Sequence, residues 1–119
     1  SMQKTLDTLR ELKLQYRQAG IRDTSKIYNT ELLYFLELGY GLDIAEATCL
    51  GALQRRESRG AHQRLDEGCT ERNDQLFLKH SLVHYQGGGD ARLDWQEVDV
   101  SMLPPGVRAY GEAGKGDKA

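Results

Sequence analysis

The stretch most able to do chemistry is residues 55–74, RRESRGAHQRLDEGCTERND, where charges of both signs crowd together. Arginine guanidinium groups can bind carboxylates or backbone carbonyls of a neighbouring domain through paired hydrogen bonds. The charge pattern taken alone favours a plainer interpretation, in which the segment is a solvated helix end whose exposed ion pairs contribute little stability. The residue types leave both interpretations open.

Histidines and cysteines are the other residues with chemical potential. His80 and His84 have the spacing of a helical metal pair, with His62 as a third ligand, but they fall in a predicted strand. Four residues of strand span roughly 13 Å, which is too far for two imidazoles to share one metal. Cys69 is predicted in a polar loop with no base beside it, and Cys49 on an apolar stripe as a small buried hydrophobe.

The glycine run at residues 87–89 has no helix after it. A dinucleotide-binding loop requires a glycine-rich turn that leads into a helix N-terminus, so this run predicts a hairpin turn. We therefore expect no catalytic residue, no cofactor-binding residue and no metal ligand within the chain.

Two long helices are expected to position the charged segment. The first runs from Met2 to Ala19 and stops at Gly20, and the second begins after the N-cap Asn29 and reaches about Arg56. The second helix carries two flanking apolar stripes, which predicts burial from two sides and a bundle of three or more helices. Three glycines inside it indicate either close packing or a kink: Gly39, Gly41 and Gly51.

A β-hairpin is expected after the charged segment. The predicted strands are Phe77–Tyr85 and Arg92–Met102, and a change in the phase of apolar alternation predicts a bulge near Gln96 or Glu97. The organisation is then a helical segment with its polar loop, the hairpin with a proline-containing tail, and a disordered tail, at residues 1–76, 77–110 and 111–119.

Composition limits the class of protein. The chain of 119 residues fits one domain, and its 16 Lys+Arg against 18 Asp+Glu leave no basic excess for general nucleic-acid binding. No apolar run approaches the roughly 20 residues of a membrane span, so no membrane insertion is expected. Two cysteines are typical of a reducing compartment rather than a disulfide framework.

Residues 55–74 resemble the C-terminal region of the fumarate reductase flavoprotein subunit, whose family also contains succinate dehydrogenase flavoproteins and L-aspartate oxidase. The similarity extends to NTELLYFLELGYGLDIAE at 29–46, to FLKHSL at 77–82 and to residues 103–105 with Arg108 and Tyr110. The sequence QRLDEG at 63–68 is more similar to fumarate reductase than to succinate dehydrogenase.

The resemblance implies a mainly α fold, a spectrin-repeat-like three-helix bundle that here lacks its first helix, followed by a β-hairpin. It also implies a parent enzyme that binds FAD in an upstream domain, takes electrons from an iron–sulfur subunit and reduces fumarate at the cytoplasmic face of the inner membrane. The family's catalytic and FAD-binding motifs map onto no residue here. The expected interdomain or subunit contacts are Glu57, Arg59, His62 and Arg64.

Two functions remain open from the sequence. The chain is either a structural domain of such an oxidoreductase, inactive by itself, or a free-standing helical module that binds a partner helix along its apolar face. In both cases an apolar stripe without a partner predicts that the chain either self-associates or presents a hydrophobic patch of several hundred Å².

Overall fold

A computed structural model describes residues 1–106, which form two long helices, one short helix and a two-stranded hairpin. The elements are α1 (Met2–Gln18), α2 (Thr30–Gln54), α3 (Asp74–Phe77), β1 (Lys79–His84) and β2 (Arg92–Glu97). The predicted class, mainly helical with a hairpin after the helices, is confirmed. The predicted disordered tail, 111–119, and the end of the 77–110 segment lie outside the described residues.

Helices α1 and α2 pack side by side in opposite directions. The start of α1 meets the end of α2, where Cys49 Sγ lies 3.5 Å from the carbonyl of Met2, and the end of α1 meets the start of α2, where Tyr16 stacks on Phe35. The predicted N-cap is confirmed, because the Asn29 side chain accepts a hydrogen bond from the Leu32 amide at 2.8 Å. The buried leucines between the helices are Leu6, Leu42 and Leu50.

One of the three helix glycines is explained by close packing. A Cβ on Gly39 would lie 2.5 Å from the hydroxyl of Tyr16, so the α1 ring occupies the space of a side chain. A Cβ on Gly41 or Gly51 would meet nothing within 4 Å. Within residues 1–106, close packing is therefore observed at Gly39 and not at these two positions, and α2 runs through all three glycines as one helix.

The hairpin is shorter and more regular than predicted. Strands β1 and β2 pair antiparallel in one continuous register from Lys79 opposite Glu97 to His84 opposite Arg92. The predicted bulge at Gln96 or Glu97 and the extension of the second strand to Met102 are wrong. The reason is that residues 74–77 form α3, so β1 cannot begin before Lys79 and β2 has no partner beyond Glu97.

Much of the apolar surface of α2 faces solvent. Leu33, Leu36, Tyr40 and Ile44 are exposed on one side of the helix, and Leu38 is exposed on the other. The helical pair is observed, and the third helix of the predicted bundle stays a prediction. Within residues 1–106, no helix combines the length and apolar character that a membrane crossing requires.

Candidate functional site

The charged segment is organised around the carboxylate of Glu57, which has 0% of its surface exposed. This carboxylate accepts hydrogen bonds from Arg55 at 2.7 Å, from Arg59 at 2.7 and 3.0 Å, and from the Asn73 amide at 2.7 Å. Burial by itself would raise the pKa of the Glu57 carboxyl, but these hydrogen bonds outweigh burial and hold its pKa below the ordinary value. The interpretation as a solvated helix end is therefore wrong at the centre of the segment.

Arg64 closes the C-terminal end of α2. Its Nη1 donates hydrogen bonds to the carbonyls of Ala52, Leu53 and Arg55 at 3.1, 2.9 and 3.3 Å, and its other nitrogens bind Asp66 at 2.8 and 2.6 Å. The last carbonyls of a helix lack hydrogen-bond donors within the helix and carry partial negative charge. A guanidinium group supplies both the donors and a compensating positive charge. Arg64 is buried by this role.

Arg59 and His62 lie at the outer side of the same cluster. Their backbones exchange two hydrogen bonds of 2.8 and 3.0 Å around the tight turn that contains Gly60, whose φ is +59°. The Arg59 guanidinium reaches from Glu57 to Asp74, 2.6 Å away, and His62 Nε2 lies 3.0 Å from the Arg55 carbonyl. Both side chains stay partly exposed, unlike Glu57 and Arg64.

Arg55 connects this cluster to the hairpin and was not among the expected contacts. Besides Glu57, its guanidinium donates to the carbonyls of Phe77 and Lys79 at 2.7 and 2.6 Å and lies 5.1 Å from the centre of the Trp95 ring. Nothing in the local sequence distinguishes Arg55 from the exposed Arg56 beside it.

A second buried carboxylate, Glu46, was also missed. It accepts hydrogen bonds from Lys13 at 2.5 Å, Arg10 at 3.4 Å and the Ala91 amide at 3.2 Å, and so joins α1, α2 and the hairpin. Burial opposes ionisation, but the hydrogen bonds from Lys13 and Ala91 prevail and lower the pKa of the Glu46 carboxyl. The available signal was its position, four residues from both Leu42 and Leu50 on the buried face of α2.

The cysteines and histidines do not form a reactive group. Cys69 lies in the predicted polar loop but is almost completely buried, and Ser58 Oγ donates a hydrogen bond to its carbonyl at 2.9 Å. Cys49 is only half-buried. His80 and His84 both lie on β1, and residues 1–106 contain no group of three His, Cys, Asp or Glu side chains placed to hold a metal.

The hydrogen bonds of this arrangement hold its own charged groups in position. Each buried carboxylate is matched by two cationic side chains and one backbone amide, so neither is free to act as a general base. What the cluster presents outward is a polar surface formed by Arg59, His62, Arg72 and Asp74.

The chain resembles known flavoprotein subunits. A family model described as "Fumarate reductase flavoprotein C-term" matches residues 1–110. The chain is 53% identical over 119 residues to the fumarate reductase flavoprotein subunit of Escherichia coli. This alignment covers 99% of the chain and 20% of the E. coli subunit. It is 35% identical over 108 residues to the succinate dehydrogenase flavoprotein subunit of Bacillus subtilis, covering 90% of this chain and 18% of that subunit.

A solved structure supports the fold. The FrdA chain of E. coli quinol fumarate reductase superposes with a TM-score of 0.86 at 53% identity, over 93% of this chain and 19% of that chain. The chain thus spans about a fifth of the length of the relatives it matches. It belongs to the family of C-terminal domains of fumarate reductase flavoprotein subunits.

Proposed function

We propose that this chain is the C-terminal structural domain of a flavoprotein subunit that reduces fumarate to succinate with FAD. The observation that carries the proposal is the match to the C-terminal family model over residues 1–110, together with 53% identity to the E. coli subunit. We infer the direction of the parent reaction from the relatives at 53% identity, which are fumarate reductase subunits.

The contribution of this domain is support. Glu57, Arg55 and Arg64 lock the end of α2, the loop and the hairpin into one unit, and Arg59 and His62 stand at its outer side. In the proposed assembly, the outer residues contact the upstream FAD domain or the iron–sulfur subunit that supplies electrons. The inner residues, Glu57 and Arg64, hold the contact surface in shape rather than touching the neighbour.

The proposed membership in a fumarate reductase complex also implies a cellular location. The parent complex would lie at the cytoplasmic face of the inner membrane, held there by other subunits. The open apolar faces of α2 are consistent with burial against the rest of the subunit, because a helix that is apolar on two sides is normally covered on both.

The test is a chimaera in which this chain replaces the C-terminal fifth of the E. coli subunit. We expect the chimaera to retain FAD, to copurify with its iron–sulfur subunit and to reduce fumarate, whereas the subunit truncated before this region should lose assembly. The isolated chain should bind no FAD and show no activity. A flavin-containing preparation of the isolated chain, or a chimaera that binds FAD but never assembles, would overturn the proposal.

The role of Arg59 needs a control for stability. We expect R59A to impair assembly of the chimaera more than D74A. Both variants remove the ion pair between Arg59 and Asp74, but R59A also removes two hydrogen bonds to Glu57 and D74A also removes the pair with Arg72, so the stability of each must be known. The stability of the two variants is measured in the isolated chain. If the loss of chimaera assembly in each variant is proportional to its loss of stability in the isolated chain, Arg59 makes no contact with a neighbour.

A free-standing interaction module is the second candidate, and it is favoured only by the exposed apolar surface of α2. That candidate predicts that the isolated chain binds a partner helix while the chimaera fails to assemble. The same pair of experiments therefore separates the two functions.

A further inference from the structure

The connector between α1 and α2, residues 19–29, presents an apolar pair to solvent. Ile27 and Tyr28 are 74% and 94% exposed. Tyr28 also has a φ of +55°, and within residues 1–106 it is the only residue other than glycine with a positive φ. The left-handed region is unfavourable for a bulky residue, because its Cβ crowds the following carbonyl oxygen. The connector therefore holds an exposed aromatic residue in a strained backbone conformation.

Side-chain hydrogen bonds fix the connector on both sides of this pair. The Asn29 side-chain nitrogen donates to the carbonyls of Asp23 and Ser25 at 2.9 and 3.1 Å. The Glu31 carboxylate, in the first turn of α2, accepts from the Asp23 amide at 2.6 Å. Strain of this kind persists only where surrounding contacts determine the conformation, and it is concentrated at functional sites. These contacts set the backbone of Tyr28 before any partner binds.

The chemistry of the pair indicates a protein surface as its partner. Tyrosine is enriched among the residues that contribute most to protein–protein binding, because one side chain buries a large ring. A segment that is already held in its bound conformation loses less entropy when it binds. Ile27 and Tyr28 carry no charge at neutral pH, so the matching surface is an apolar recess.

The area of the pair distinguishes a separate partner from a tethered one. An aromatic side chain buries about 150–250 Å², so two side chains of this size or smaller offer less than about 500 Å². A stable interface between separate proteins buries roughly 800 Å² on each partner. A surface on the same polypeptide needs less area, because the covalent connection gives it a high effective concentration. The small, preorganised contact therefore favours a partner within the same polypeptide over a second copy.

We propose that Tyr28, with Ile27 beside it, anchors this domain in an apolar recess on the remainder of the flavoprotein subunit. This inference rests on the proposed function, in which the chain is the C-terminal part of a longer polypeptide. The chain covers 20% of the E. coli subunit, so a parent of that length offers most of its surface from residues outside this chain. The anchor ties the start of α2 to that surface.

Substitution at Tyr28 separates an anchor from a residue that merely supports the fold. Asparagine tolerates the left-handed region, so Y28N should leave the thermal midpoint of the isolated chain unchanged or raise it. The same substitution should lower the midpoint of the chimaeric subunit, because the ring that fills the recess is gone. Y28F, which keeps the ring, and K26N, at an exposed residue of the same connector, should change neither midpoint. An equal loss in the isolated chain and the chimaera would overturn the anchor.

Hydroxyl-radical footprinting of the unsubstituted protein measures directly whether the ring is covered. Oxidation of Tyr28 is compared in the dilute isolated chain, in the chimaeric flavoprotein subunit alone, and in its complex with the iron–sulfur subunit. Because Tyr28 is 94% exposed in this domain, we expect oxidation to be at least about fivefold slower in the subunit alone, with no further change in the complex.

Each other outcome of the footprinting contradicts the anchor in a distinct way. Unchanged oxidation in a chimaera that retains FAD and assembles would overturn the anchor and leave the proposed function intact. Slower oxidation only in the complex would assign the contact to the iron–sulfur subunit, and slower oxidation in the concentrated isolated chain would assign it to a second copy. A chimaera without FAD would overturn the proposed function and the anchor with it.

Discussion

Two carboxylates near opposite ends of the hairpin are buried, and both are stabilised by the same kinds of hydrogen-bond donors. Glu46 and Glu57 are 1% and 0% exposed, and each is bound by two cationic side chains and one backbone amide from a different element. A buried charge is tolerated only when its lone pairs are satisfied, so each carboxylate fixes the relative position of the elements that supply its partners.

Arg64 should be the most sensitive arginine for stability. We expect R64A to lower the free energy of unfolding by about 2 kcal/mol, because three carbonyls at the end of α2 lose their buried donor. R56A, which removes an exposed arginine from the same segment, should change stability by less than about 0.5 kcal/mol. Urea unfolding of both variants checks this, and equal effects would contradict the capping role.

Among the elements, α2 contacts both α1 and the hairpin. It packs on α1 through Leu42 and Leu50, supports the hairpin tip through Glu46, and is closed by Arg64. Apolar side chains of α2 outside these contacts remain exposed to solvent. Because exposed apolar surface is unfavourable, we expect another protein surface to cover it, either from the rest of the proposed parent subunit or, in the isolated chain, from a second copy.

The glycines of α2 provide a matched pair. Replacing a helix glycine by alanine gains up to about 1 kcal/mol when space is available, as it is at Gly41. At Gly39 the new methyl would displace Tyr16 from its stack on Phe35, so G39A should gain nothing or lose stability. Thermal unfolding measures both variants, and an equal gain in both would mean that Tyr16 yields without cost.

The open groove between α1 and α2 should drive self-association of the isolated chain. Leu12, Phe35, Leu38 and Leu42 line this groove. We expect light scattering to detect dimers or larger species that L38K converts to monomer, because a charge in an apolar interface is costly. L65K, at a leucine that is 95% exposed outside the groove, is the control. A monomer at every concentration tested would contradict the prediction.

For the whole molecule, acid should be the destabilising condition. The pKa values of Glu46 and Glu57 lie below their ordinary 4.5 in the folded chain, and that of Asp74 is lowered to about 2 by hydrogen bonds from Arg72 and Arg59. A carboxyl with a lowered folded pKa stabilises the fold above its unfolded pKa, and the contribution is lost as pH falls through the folded value.

The free energy of unfolding should therefore stay nearly constant from pH 7 to about 5 and decline below about 4.5. Urea unfolding at a series of pH values measures the curve. E57Q should be less stable at pH 7 and show a shallower decline, because one of the responsible carboxyls is gone. A decline that begins above pH 6 would contradict the assignment to these carboxyls.

The sequence by itself determined the features that depend on near neighbours. Apolar spacing predicts α1 and α2, Asn29 caps the helix three residues before Leu32, and the glycine run at 87–89 predicts the hairpin turn. The family was also recognisable from residues 55–74, because that motif is a property of the sequence. These signals act over a few residues and do not require the fold.

Only the tertiary structure decided which charges are buried and where the strands end. Glu46 and the Ala91 amide are 45 residues apart, so no local pattern could have predicted their hydrogen bond. The limit that α3 sets on the hairpin at Lys79 was missed, although Asn73 caps this helix locally. The segment around Glu57 has the composition of a solvated surface, yet Arg55, Arg59 and Asn73 enclose its carboxylate. The physical reason is that burial of a charge depends on partners that only the folded chain brings within hydrogen-bonding distance.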